Sequence, residues 1–386
     1  MAKICMITFS EYACDPRVRR EAEALAGRGD TVDCICVGNI DTRPVAGVRL
    51  FRVSPQRYRG ANAPRLLLAY LRFFAYVSFK VTLMHLANRY DVVQVHTMPD
   101  FMVFAALIPK LMGARVILDV HDLMPEIYAV KFASGETQWV SRFIAWVERM
   151  SIAFADRAMC VHRPHLQALM RHGNPESKFS ILLNVPDHRF FVPKSPPGEW
   201  GDEFRLLYHG RTPKRAGIDV ALRAVALART EIPGIRFRIV GVQEGAEELS
   251  RLVAELGLED CVVLVPSVPV EDLAAIIEST HVAIVPYLSD AFTQYVLPVK
   301  LLECVAMRRP VIVSRLRTVE AYFDSSMVRF FEPGNDRELA ESIVELYRNP
   351  ELAKELAVNA EAFTARYNWP EHRQIYFRLI DSLSES

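Results

Sequence analysis

Strand-like and helix-like runs alternate along this chain from its first residues to its last, and that alternation confines it to one class of fold. Lys3–Phe9 is apolar and β-branched. Asp15-Pro16 then has the form of an N-cap followed by proline at the first helical position, and the amphipathic run RVRREAEALAGRG stops at glycine. Thr31–Val37, Asp91–His96 and Ala114–Val120 repeat the strand signal. These runs are almost continuously apolar, which is how parallel strands read when helices cover both faces. The pattern predicts a doubly wound α/β fold. It restarts after PKSPPGEWGD, residues 193–202, a stretch whose Pro and Gly suit a linker. Leu206–His209, Arg236–Val240, Val262–Val265, Val282–Val285 and Val311–Val313 are the strands expected next, and two closing helices break near Asn368-Trp369-Pro370. The expected domains are residues 1–192 and 203–367, with 368–386 a helix that packs back on the first. Two such domains would face each other across a cleft at the carboxyl ends of their strands, where open α/β sheets bind ligands.

The chain has 386 residues, enough for two ordinary domains, and its 46 basic residues equal its 46 acidic ones. That balance supplies no field for a nucleic-acid partner. Locally the balance fails. Between Asp41 and Asp91 there is no acid, while Arg43, Arg49, Arg52, Arg57, Arg59, Arg65, Arg72, Lys80 and Arg89 all fall there. The second half of this stretch, PRLLLAYLRFFAYVSFKVTLMHLANRY, is apolar, with uncharged runs shorter than the roughly 20 residues that span a bilayer. Two readings stay open: a core helix with one wet edge, or a peripheral membrane contact through residues 57–90 with anionic lipid on the inner face of the membrane.

Seven cysteines without a CxxC pair suit a reduced cytoplasm, and MAKICMITFS reads as a buried strand rather than a signal peptide. His162 and His165 in HRPH have no Cys, Asp or Glu at ligand spacing, and Pro164 reads as a helix start, so no metal is expected there. The sequence contains no GxSxG elbow and no Walker loop.

Chemistry is expected just past strand ends. In LPVKLLECVA, followed by RRPVIVS, Pro298 would open a helix with Lys300 in its first turn and Glu303 one turn on, along the same face. A helix N-terminus offers free N–H groups and partial positive charge to a phosphate, and Lys300 adds a full charge. Glu303 would accept hydrogen bonds from the hydroxyls of a ribose. An exposed ion pair would use the same two residues. LLYHGRTPKRAGIDVAL reads as strand, glycine turn at Gly210, basic cluster and helix. Arg215 would bring a guanidinium to a phosphate, unless the turn is merely solvated. His121 in ILDVHDLMPE lies past a strand end, placed to hydrogen-bond a sugar or shield charge at its anomeric carbon. His96 in VVQVHTMPD holds the equivalent position on the acceptor side.

Taken together, YHGRTPKRAGIDVAL, LPVKLLECVA…RRPVIVS, DPRVRREAEAL and DVHDLMPE resemble the retaining family-4 glycosyltransferases with the GT-B fold, particularly bacterial members that build surface polysaccharides such as lipopolysaccharide. The resemblance runs in order through nearly the whole chain. It implies two Rossmann-like domains and transfer of a hexose-type sugar, with retention and without a metal or resident cofactor. The donor implied is a UDP-sugar ahead of a GDP-sugar, and the acceptor a hydroxyl of a glycan or a lipid-linked glycan. By resemblance Arg215 and Lys300, beside Gly210, hold the donor diphosphate; Glu303 is the ribose ligand, second in a Glu-x7-Glu signature; and His121 faces the transferred sugar. The chain departs from the family pattern at Tyr295, where the first glutamate of that signature belongs, with Asp290 on the preceding loop as its expected substitute. Ala216 stands for the usual lysine before the loop glycine, and Arg308 for the glycine before the Pro-Val-Ile strand. If φ is positive there, Arg308 costs about 1 kcal/mol. A nucleotide-sugar epimerase of the same architecture and a non-catalytic scaffold are the alternatives.

Overall fold

The computed structural model describes residues 1–38, 47–53, 63–131, 138–194, 200–243 and 245–385. One unit comprises Met1–Asn184 with Pro370–Ser386, and the other Val185–Trp369. The strands of the first are β1 (Lys3–Ile7), β2 (Thr31–Val37), β3 (Val48–Val53), β4 (Val92–His96), β5 (Arg115–Val120), β6 (Arg157–Cys160) and β7 (Phe179–Ile181). They form one sheet in the order β3-β2-β1-β4-β5-β6-β7, parallel throughout. The central strands are buried along nearly their whole length, which is why their sequences do not alternate.

The crossover helices are α1 (Pro16–Arg28), α2 (Ala63–Asn88), α3 (Leu107–Leu111), α4 (Met124–Lys131), α5 (Gln138–Phe154) and α6 (Arg163–Arg171). α1 starts and stops as its sequence dictates. Asp15 accepts from the Val18 N–H, Pro16 occupies the first helical position, and Gly29 closes the helix at φ 100°. Connections that run toward β2 and those that run toward β7 lie on opposite faces when crossovers are right-handed. The final helix, Trp369–Ser384, packs beside α1, where Arg28 pairs with Asp381 at 2.8 Å.

Arg43, Arg57 and Arg59 of the basic stretch, and residues 195–199 of the linker, lie outside the described residues. Arg49 and Arg52 lie on β3, and the apolar second half of the stretch is one continuous helix, α2, of 26 residues, with Arg89 just beyond its end. It buries Phe73, Val77, Val81 and Met84 against the sheet and exposes a second apolar face. Arg65–Asn88 is, by length and composition, apolar enough to cross a membrane. Counting uncharged runs missed this, because Arg72 and Lys80 interrupt the run without lowering its mean hydropathy far.

The second unit contains β8 (Phe204–His209), β9 (Ile235–Val240), β10 (Val262–Val265), β11 (Val282–Val285), β12 (Val311–Ser314) and β13 (Arg329–Phe331), again all parallel, in the order β10-β9-β8-β11-β12-β13. Its helices include α7 (Ile218–Ala228), α8 (Ala246–Glu255), α9 (Val270–Glu278) and α10 (Val299–Ala306). Chain direction across the sheet reverses between β8 and β11. Their carboxyl ends therefore flank a gap that no crossover covers, the topological switch point of an open sheet.

Candidate functional site

At the switch point of the second sheet, β8 ends in Tyr208-His209 and the chain turns at Gly210, φ 102°. A Cβ there would stand 3.1 Å from Lys300 Nζ, so the turn takes glycine because an ammonium lies against its backbone. Lys300 comes from the first turn of α10, where Pro298 provides no side-chain cap. Its Nζ donates to Tyr208 Oη at 2.5 Å and sits 3.9 and 4.9 Å from the Tyr208 and Tyr287 ring centres. Lys300 is only 9% exposed, and burial, partly offset by Glu303, pulls its pKa down to about 7. Glu303 lies 3.6 Å from His209 Nδ1. Burial and the Lys300 charge push His209 down to about 3, so its imidazole is neutral.

Arg215 enters the same edge on the turn before α7. Gly217, φ 67°, is required next: a Cβ there would stand 1.9 Å from the Pro286 carbonyl oxygen just past β11. The Leu288 N–H donates to the Arg215 carbonyl at 2.9 Å, so this turn and the loop after β11 are one assembly, and Pro286-Tyr287 links it to Lys300. The Arg215 guanidinium lies over Phe292 at 5.0 Å, and its buried Nη1 has no hydrogen-bond partner. A buried donor of this kind is satisfied by water or by a ligand. Asp290 is committed to the loop, its Oδ1 accepting from the N–H groups of Phe292 and Thr293 at 2.8 and 2.7 Å. Tyr295, in the short turn that follows, stacks against Arg317 at 5.7 Å.

Arg308 does take the left-handed conformation, φ 55°. It ends α10 in a Schellman turn, with the Arg308 N–H bonded to the Val305 carbonyl and the Arg309 N–H to that of Cys304. Its side chain pairs with Glu361 at 2.9 Å.

The first unit carries a second cluster, centred on Asp119, which is fully buried in β5. Arg17 holds both carboxylate oxygens at 2.8 Å, and the Oδ2 also meets His121 Nε2 at 2.8 Å and His96 Nδ1 at 3.1 Å. Burial raises the Asp119 pKa, but Arg17 and His121 outweigh it and hold the carboxyl well below its usual range. Burial likewise disfavours charge on His121, and the Asp119 carboxylate outweighs that, so the His121 pKa is raised. Glu21 lies 3.2 Å from Arg17 and accepts from Gln94, which in turn accepts from Tyr376 Oη of the final helix. Atoms of His96, Asp119 and His121 come within 4.8 Å of one another, a spacing that would suit a cation. The Arg17 guanidinium already occupies both Asp119 oxygens, however, which leaves the carboxylate little room for a cation.

His162 and His165 have structural work: His162 Nδ1 accepts from the His165 N–H and caps α6, with Pro164 inside its first turn, and His165 Nδ1 accepts from the Val161 N–H. Gly210, Lys300 and Glu303 are together with His209, and Arg215 is joined to the loop that carries Asp290. His96 and His121 meet at Asp119. Sequence reasoning missed Arg17, Glu21, Gln94, Asp119 and Tyr376. The available signal was a polar residue set in an apolar strand, Asp119 in RVILDV and Gln94 in VVQVH.

The glycosyl transferase 4-like domain model matches residues 14–184, and the glycosyl transferases group 1 model matches residues 203–349. A D-inositol 3-phosphate glycosyltransferase from Acidothermus cellulolyticus is 30% identical over 173 residues, 42% of this chain and 38% of that one. The chain thus matches well under half the length of that relative. Sucrose-phosphate synthase (tll1590) from Thermosynechococcus elongatus shares the fold over 99% of both chains, with a TM-score of 0.78 and 21% identity. Anabaena HepE, solved in complex with UDP-glucose, does so at a TM-score of 0.74 and 15% identity over 99% of this chain and 100% of that one. With two parallel-sheet α/β units, each matched by its own glycosyltransferase model, the chain belongs to the family-4 glycosyltransferases with the GT-B fold.

Proposed function

We propose that the chain moves a hexose-type sugar from a nucleotide-diphosphate donor to a hydroxyl of a glycan or lipid-linked acceptor, with retention. One observation carries the reading: a buried, under-compensated Lys300 ammonium lies against the Gly210 backbone at a helix N-terminus, on the sheet edge where Arg215 Nη1 lacks a partner. A diphosphate supplies the counter-charge that both lack, and Glu303 takes the ribose hydroxyls. HepE, with UDP-glucose in its site, supports a UDP-sugar ahead of a GDP-sugar.

In this reaction the bond from the anomeric carbon to the β-phosphate oxygen breaks while the acceptor oxygen bonds to that carbon. The acceptor's proton passes to the departing phosphate, so no carboxylate base is needed. Lys300, Arg215 and the α10 N-terminus are fixed before charge develops on the leaving group, which is where preorganised donors act best. They supply the charge that a divalent cation would otherwise provide. His121, its pKa raised by the Asp119 carboxylate, hydrogen-bonds a sugar hydroxyl. All seven cysteines are free thiols, which suits a reducing compartment.

The test is release of free nucleotide from UDP- and GDP-sugars, with and without alkyl glycosides and polyprenyl-linked sugars as acceptors. We expect release that depends on acceptor, and a loss of 10²–10³ in kcat/KM, about 3–4 kcal/mol, for Lys300→Ala or Arg215→Ala. Conversion of the sugar without acceptor would identify an epimerase, and near-normal turnover in both variants would remove these residues from the site.

A further inference from the structure

Fourteen of the twenty exposed large apolar side chains among the described residues lie on three helices of the first unit: seven on α2, three on α3 and four on α5. The three form one layer. The turn of 3-10 helix Asp100–Ala106 joins them, with Phe101 against Phe74 of α2 at 5.8 Å and Phe104 against Phe154 of α5 at 5.1 Å. Apolar surface gathered in this way marks an interaction face.

We infer that the outer face of α2, α3 and α5 docks on an anionic lipid surface. Trp139, Phe143, Trp146 and Met150 recur at helical spacing along α5, with Trp139 71% exposed. A stripe of this composition is that of a helix lying at a membrane–water interface. Arg65, Arg72, Arg142 and Arg149 are exposed on the same helices. Their one acid among the described residues, Glu148, is buried and bonded to His172 and Asn174. A second copy of the chain would set these basic faces against each other, whereas acidic headgroups complement them. The apolar window of α2 is only 17% buried, yet the helix cannot thread a bilayer, because β3 and β4 on either side of it belong to one sheet and its Phe73, Val77 and Val81 pack there. It is built to lie on a membrane.

A crossover helix in a parallel sheet begins at the carboxyl edge of the strands, so α2 and α5 start at the edge that carries His96 and His121. Docking brings that edge to the headgroups, where a lipid-linked hydroxyl is presented. This consequence rests on the transfer reading; the docking does not.

The test is co-sedimentation of the full chain with phosphatidylcholine vesicles, with and without phosphatidylglycerol. We expect salt-sensitive binding to the anionic vesicles, weakened by about tenfold or more in Trp139→Ser/Phe143→Ser/Trp146→Ser. Arg72→Gln/Arg142→Gln/Arg149→Gln, all exposed and away from the core, should lose the preference for phosphatidylglycerol. Wild-type protein that stays in the supernatant with both vesicles would overturn the inference. So would a solution mass of two chains that falls to one in the aromatic variant, which would assign the face to a second copy. No sugar nucleotide enters this measurement, so either result leaves the transfer reading standing.

Discussion

Lys300 is a cation whose charge depends on what it meets. Alone it titrates near 7, against 10.5 for an ordinary lysine, because burial outweighs the help from Glu303. A bound diphosphate restores the charge, so nucleotide binding at pH 7–8 should take up a proton, and affinity should fall as pH rises above about 7. Calorimetric titration in buffers of different ionisation heat reads this directly; Lys300→Arg should bind without uptake. Arg308 gives a stability test of the same kind. Its positive φ costs about 1 kcal/mol, and its exposed pair with Glu361 returns less than that, so Arg308→Gly should stabilise the chain by up to about 1 kcal/mol in urea unfolding. Lys300, Glu303 and Arg215 were legible in the sequence because helix and turn positions fix where such residues point. The lowered Lys300 pKa was not, because it follows from how tightly Tyr208, Gly210 and Tyr287 close around the ammonium.

At the scale of elements, Asp119 ties α1, β4, β5 and the segment after β5 together. The pH dependence of that tie has a definite sign. A histidine raised above 6.5 contributes stability that is full below 6.5 and lost as pH climbs through its folded value. A carboxyl held below its usual range contributes stability above that range, lost as pH falls through its folded value. This tie is therefore strongest between those limits. Asp119→Asn should cost up to about 3 kcal/mol by removing the bidentate partner of the buried Arg17, which keeps Glu21, and the His121 titration followed by NMR should move to lower pH. Tyr376→Phe, which removes one bond from the final helix to Gln94, should cost only about 1 kcal/mol. The long central strands were readable because burial on both faces leaves an unbroken apolar run. β7 and β13 are three residues long, β6 (RAMC) holds no β-branched residue, unlike the equally short β10, β11 and β12, and β3 carries two arginines at a sheet edge.

Across the whole molecule, each sheet gathers its chemistry at the carboxyl edge. Phosphate-type partners are expected at the second, where Lys300, Arg215 and Glu303 stand. Two histidines on one buried carboxylate stand at the first. The topology alone dictates these places, since only there do the crossovers leave backbone and side chains uncovered. Pairings over long sequence separations, such as Arg17 with Leu182 or Gln94 with Tyr376, depend on how the final helix and distant strands fold back, and no local pattern announces them. The most direct test of the account is calorimetric titration of UDP and GDP, with EDTA present, into wild-type protein and Glu303→Ala. One nucleotide should bind the wild type, the variant should bind it about tenfold or more weakly, and a 2′-deoxy nucleotide should show little difference between the two proteins. Absence of binding by either nucleotide, or binding that Glu303→Ala leaves unchanged, would contradict the assignment of the donor to this edge.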